Sequence, residues 1–162
     1  MPAAYYLKID GVKGESSDKS HKDEIEVLSW SHGVSQPSSA SASTSGGHTV
    51  GRCQHSDLSI MKTADVASPT LAQLCCSGKH IKEVLLVCER ADGDKRVPYL
   101  TIKLTDVIIS SAQLSGGGEV PHESISFNYA KINWEYTKQN VAGGAAAGKS
   151  TGSWDLKANA IS

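Results

Sequence analysis

Residues 143–150, GGAAAGKS, satisfy G-x-x-x-x-G-K-[ST], the pattern of a loop whose amides and lysine hold nucleotide phosphates. Such a loop works between a buried strand and a helix N-terminus, with an acidic magnesium ligand downstream. The stretch after Ser150 is short and carries strand-like alternation, so the match reads as a Gly/Ala loop containing Lys149. The histidines, at positions 21, 32, 48, 55, 80 and 122, include no H-E-x-x-H and no ligand pair on one helical face. His80, just past a predicted helix, reads as a C-terminal cap. There is no G-x-S-x-G elbow to activate a serine. Glu24 and Glu26 share one strand face, where a solvated or intersubunit surface explains them more simply than a paired-carboxylate glycosidase site. No catalytic residue, cofactor or metal is expected, which points to a structural or binding protein rather than an enzyme.

Composition narrows the partners. With 162 residues the chain suits a single domain spanning residues 1–162, able to bury a core without a disulfide or metal staple. Sixteen basic against seventeen acidic residues give a formal charge of -1, so no net field draws in nucleic acid or anionic lipid. Cys53, Cys75, Cys76 and Cys88 lack metal-ligand spacing and read as free thiols of a protein made in a reducing cytosol. The N-terminal MPAAYYLKID lacks the basic and apolar regions of a signal peptide, and no later run approaches the roughly 20 apolar residues of a membrane span. If the protein leaves the cell it is expected to do so without a signal peptide, and no membrane insertion is expected.

The elements read as mainly β. Tyr5, Leu7 and Ile9 alternate as a half-buried strand. In residues 24–34, EIEVLSWSHGV, the apolar set moves from Ile25 and Val27 to Leu28 and Trp30, which predicts a bend near Val27 and Leu28 and turns Ser29 and Ser31 away from Trp30. Residues 35–49, rich in Ser and Gly, read as a long exposed loop. Leu58 and Ile60 mark a third strand. Ser68-Pro69, Leu71, Leu74, Cys75 and Gly78 predict a helix over 68–77 with Ser68 as N-cap. Residues 84–88, VLLVC, are apolar on both parities and must be covered on both faces, one by that helix or by another subunit. A hairpin turn at 91–94 leads to strands at 99–104 and 106–111. The strand from Glu123 swaps its apolar face between Tyr129 and Ile132, a second swap of the kind seen at Leu28, so the sheet should curl strongly or turn a corner. A loop over about 140–152 and a short closing strand at 153–158 complete the reading.

The run KGESSDKSHKDEIEVLSWSHGVSQ, residues 13–36, resembles the N-terminal signature of the hemolysin-coregulated protein family, the tube protein of bacterial type VI secretion. Asp57-Leu58-Ser59, Ser77-Gly78-Lys79-His80, Tyr99-Leu100, Ser110-Ser111, Phe127 and Trp134 extend the likeness over nearly the whole chain, in order. The resemblance implies a β-barrel-like protomer of two sheets with one short flanking α-helix, assembling into a homohexameric ring. Stacked rings would form an inner tube expelled by a contractile sheath and tipped by a valine-glycine repeat spike protein, with small effectors held in the ring. A chain ending at Ser162 is expected to carry no fused toxin domain. The departures lie in the Ser-rich 35–49 loop and the Ala-rich 142–147 loop.

On this reading Ser29 and Ser31 would line the lumen and meet effectors, from their parity opposite Trp30 and from Ser31 matching a lumen position of the family. Ring stacking would use the loops at the barrel's two ends, with Gly93 on one side and Lys157 on the other. Read from its residues alone, the chain also fits a soluble β-barrel carbohydrate or peptide binding module.

Overall fold

The computed structural model describes residues 4–37, 51–139 and 146–162. Its elements are β1 Ala4–Ile9, β2 Ile25–Val27, β3 Ser29–Ser31, β4 Val34–Ser35, β5 Gln54–His55, β6 Leu58–Thr63, α1 Ser68–Ser77, β7 Ile81–Asp92, β8 Lys95–Ser115, β9 His122–Gln139 and β10 Ala146–Asp155. One antiparallel sheet runs β2-β1-β7-β8-β9-β6-β3, with β10 added to β9, and β4-β5 form a small second sheet. The edges β2 and β3 are consecutive in the chain, separated by Leu28 alone, whose N–H donates to Met61 O at 2.7 Å. The chain thereby joins both edges of its own sheet into a nearly closed barrel.

The two changes of apolar parity have this closure as their cause. Ile25 and Val27 are buried where β2 pairs with β1, and Trp30 packs onto the core where β3 pairs with β6. Leu28 sits in the bend and is exposed. The second swap occurs in two strands at one level. Leu104 pairs with Ile132, Val107 pairs with Tyr129, and all four are buried, so β8 and β9 turn the corner together. Asp106 takes φ 54 at that corner, which lets what the sequence divided into two segments run as one long strand. Leu7, Ile25, Leu58, Leu86, Ile125 and Phe127 fill the interior. Each such side chain contributes roughly 1.5–3 kcal/mol by leaving water.

Several local expectations are corrected. The second face of β7, which carries Val87 and Glu89, is not covered by α1. Tyr6, paired with Val87, and the segment around His21 close over it, while α1 packs on β8. Gly14 lets that segment lie close, because a Cβ there would meet Glu24 O at 2.4 Å. Ser68 is not the N-cap. That position falls to Ala67, and Asp65 Oδ1 accepts the Ala67 N–H at 3.0 Å instead. The helix does stop at Gly78, which adopts φ 63 and donates to Leu74 O at 3.1 Å. Within the expected loop of 140–152, residues from Ala146 onward are strand, paired with the C-terminal half of β9. Small Gly and Ala residues gave no side-chain signal there, and an open strand edge decided the pairing. The closing strand accordingly ends at Asp155, and residues 156–159 turn. Most of the 35–49 loop, together with 140–145, lies outside the described residues.

A fully buried ammonium anchors the helix to the barrel. Lys62 Nζ lies 2.8 Å from Asp65 Oδ1, 3.2 Å from Ser68 Oγ and 3.4 Å from Glu123 Oε2. Glu123 Oε2 has no hydrogen bond of its own and depends on that ion pair. Lys62→Met should therefore cost about 3–5 kcal/mol in urea unfolding, because it strands a buried charge. Adding Glu123→Gln should recover part of the loss, and a double variant no more stable than the single would contradict this account.

Candidate functional site

Opposite the core, four adjacent strands present a face set with hydroxyls. Leu58, Ile60, Ile125 and Phe127 point inward, so by the period of two Ser59 and Ser126 point outward with Ser29 and Ser31. The register lines them up: Ser31 opposes Ser59, Ser59 opposes Ser126, and Ser126 opposes Ser111. Ser59 Oγ and Ser126 Oγ are 3.1 Å apart. The irregularity between Ile109 and Ser111 adds Ser110, whose hydroxyl donates to Asp57 Oδ2 at 2.6 Å, and Asn128 donates to Asp57 Oδ1 at 3.0 Å. Ser29 and Ser31 are both exposed. A shallow groove of about 490 Å³ runs along this face past Ser31, Asp57 and Ser59. Such a surface holds water and offers short, neutral hydrogen bonds; its large apolar neighbours in register include Met61, opposite Ser29, and the half-buried Ile108, opposite Asn128.

Gly93 and Lys157 stand far apart. Gly93 has φ 58 in the tight turn closed by the Asp92–Lys95 pair, with open space where a side chain would be. Lys157 follows β10, and its Nζ reaches to 3.7 Å from Asp106 Oδ2. Asp106 is level with the start of β7, so the two positions are separated by most of that strand, roughly 35 Å at 3.3 Å per residue.

Three histidine settings carry chemistry that sequence spacing could not show. His80 bonds Asp106 Oδ1 at 2.7 Å instead of capping α1. His32 Nε2 and His55 Nδ1 meet on the Tyr129 hydroxyl, at 2.6 and 2.9 Å. His21, inside the run that carries the family likeness, is clamped between Glu24, 2.5 Å from its Nδ1, and the buried Glu89 on its Nε2. Tyr6 stacks on its ring at 4.2 Å, and Arg96 donates to the Tyr6 hydroxyl at 3.1 Å. This cluster seals the outer face of β1 and β7. Within the run that carries the family likeness, His21 and Glu24 are thus engaged in holding the wall.

The phosphate-loop pattern does not have the setting that the chemistry needs. Lys149 lies in β10, opposite Thr137, with its Nζ 2.9 Å from Glu135 Oε1. Among the described residues no group of three His, Cys, Asp or Glu side chains is placed to hold a metal ion, and no helix is long and apolar enough to cross a membrane.

The His21 clamp has a definite pH signature. Burial works against its charged form, but hydrogen bonds and charge from Glu89 and Glu24 outweigh this and raise its pKa above the ordinary 6.5. A raised folded-state value means that the stabilisation is complete below about 6.5 and is lost as pH rises through the higher folded value. His21→Gln should lower the urea midpoint at pH 6 and flatten its dependence between pH 6 and 8.5. An unchanged slope in that window would contradict the clamp.

Comparison with known proteins places these features in a family setting. Residues 6–136 match the family model described as "Type VI secretion system effector, Hcp". The chain is 37% identical over 161 residues to "Protein hcp1" of Pseudomonas aeruginosa, with 98% of each chain covered. Its fold is similar to the crystal structure of Hcp1 from Salmonella typhimurium, with a TM-score of 0.81, 33% identity and 100% of both chains covered. A structure described as a type six secretion system protein is similar at a TM-score of 0.91 and 33% identity, over 99% of this chain and 100% of the other.

Proposed function

This chain belongs to the Hcp family of type VI secretion, a family of structural components secreted by that machinery, and on that premise we propose that six copies close into a ring. Residues 1–162 act in it as one domain. Rings stack into an inner tube, which a contractile sheath expels behind a valine-glycine repeat spike protein. The protein leaves the bacterial cytoplasm by this route. Small effector proteins travel in the lumen, and the ring acts as their export receptor. The role is non-enzymatic.

The hydroxyl-set face of β3, β6, β9 and β8 carries this reading. A channel wall must stay hydrated and must grip cargo only weakly. The row Ser31, Ser59, Ser126 and Ser111 supports that behaviour with small neutral groups. Large apolar side chains are exposed elsewhere, among them Leu28, Val34, Leu114 and Tyr136. They provide surface for a heterologous interface, in which one patch of each subunit meets a different patch of the next until the rotation closes. Ser29 and Ser31 then contact effectors. Gly93 and Lys157, separated along β7, belong to opposite stacking surfaces.

Native mass measurement tests the assembly, since a ring gives six protomers, whereas a carbohydrate or peptide binding module gives one or two. In the ring, Ser31→Trp should leave the hexamer intact and reduce retention of a co-expressed effector at least tenfold. Undiminished retention would remove Ser31 from the contact. For stacking, cysteines at Gly93 and Lys157 should cross-link in a tube-forming preparation of a Cys76→Ser background, because Cys76 is exposed and would compete. Failure beside an intra-ring control pair that does cross-link would overturn the assignment of these two positions.

A further inference from the structure

The meeting of His32 and His55 on one phenol fastens a separate piece of structure. Leaving β3, the chain passes through His32 and Gly33 into β4, and it returns through β5 and Ser56 into β6. Among the described residues β4 and β5 pair only with each other, through Val34–His55 and Ser35–Gln54, and Ser56 N–H donates to Gly33 O at 2.9 Å. This ribbon lies on either side of residues 38–50. Its side-chain bonds to the barrel include those of both imidazoles to Tyr129 of β9, whose hydroxyl oxygen also lies 3.4 Å from Ser56 O.

We propose that His32, His55 and Tyr129 form an acid-released latch, which holds the β4–β5 ribbon against the barrel wall while both imidazoles are neutral and lets it go when they are protonated.

The hydrogen bonds explain the direction. In the neutral state the Tyr129 hydroxyl donates to one ring nitrogen and accepts from the other, so one proton from each side satisfies the pair. Among the described residues His55 Nε2 is buried without a partner, an arrangement tolerable for a bare ring nitrogen. Protonation places an N–H at that atom with no acceptor, which carries the penalty of an unmet buried donor. It also brings a second positive charge toward His32. The surroundings offer little compensation. His55 borders a largely apolar hollow with Val34, Trp134 and Trp154, and the His32 ring lies 6.0 Å from that of Trp134. Among the described residues the other ionisable groups facing the cluster are Cys53, beside β5, and Asp57, whose carboxylate is engaged by Ser110 and Asn128. No carboxylate bonds either imidazole among the described residues.

Burial lowers both imidazoles below the ordinary 6.5, and the neighbouring His55 lowers His32 further. A depressed folded value means that the latch is at full strength above about 6.5 and weakens as pH falls through the lower value. This is opposite in sign to the His21 clamp, so acid loosens the ribbon while the wall at β1 and β7 is held. The latch does not require ring formation.

Hydrogen exchange followed by mass spectrometry on the full chain tests it, with rates corrected for the intrinsic effect of pH. Amides of 33–37 and 51–56 should exchange at least tenfold faster at pH 5.0 than at pH 7.5, while those of 81–92 keep their protection. His32→Gln with His55→Asn retains neutral hydrogen-bonding atoms near the positions used, and it should abolish the difference. Tyr129→Phe should exchange fast at both values. Equal protection of the wild-type ribbon at both pH values would overturn the proposal, as would an acid response that survives in the double variant. If near-ultraviolet circular dichroism shows the double variant unfolded, His55→Asn alone decides. A reduced response supports the latch, and a full one overturns it.

Discussion

The fold depends on one constraint, which is that a single short stretch must serve both edges of the sheet. β2 pairs with β1, β3 pairs with β6, and only Leu28 separates them. An open sheet would leave rows of unpaired backbone groups on both edges. Joining the edges through one residue satisfies those groups and forces the curl. The same stretch then cannot keep one face inward, because moving from one edge to the other reverses which parity faces the core. Trp30 enters the wall from the new side, and Ser29 and Ser31 are thereby turned outward.

The rest of the barrel adjusts to that closure. β8 and β9 turn together at Leu104–Ile132 and Val107–Tyr129, with Asp106 absorbing the change in a left-handed conformation. Because both strands turn at one level, their pairing survives the corner and they stay long. Their N-terminal and C-terminal halves serve different neighbours, since β9 pairs with β6 in its first part and with β10 in its second. The serine face occupies the first part, and the hollow beside Trp134 and Trp154 the second. One strand thus separates a hydrated surface from an apolar one.

Buried polar groups also fix the segments attached to the barrel. Lys62 ties α1 to β9 through Asp65, Ser68 and Glu123. His21 ties the 13–24 segment to β7, and Tyr129 ties the β4–β5 ribbon to β9. In a low-dielectric interior such groups are costly unless they are partnered, so each determines one arrangement of the attached segment. His21 gains from acidic neighbours and His32 and His55 do not, which is why the attachments respond to pH in opposite directions.

Much of the architecture was legible in the residues. Alternation in Tyr5, Leu7 and Ile9, the Pro69 to Gly78 helix and both parity swaps depend on local periodicity, a property of the chain itself. The outward direction of Ser29 and Ser31 followed from the same rule. The serine row did not, because Ser31, Ser59, Ser126 and Ser111 are distant in sequence and only the register of four strands brings them into line. β10 was hidden for a related reason, since Gly and Ala carry no facial preference until a neighbouring edge requires a partner. The histidines mark the limit most sharply. Sequence spacing excluded a helical metal pair but could not indicate that His21 would meet Glu89, or that His32 and His55 would share Tyr129. Residue type and periodicity determined which faces are apolar and where the chain must bend. Tertiary structure alone decided which polar groups met, because hydrogen bonds act over about 3 Å and depend on how distant strands are brought together.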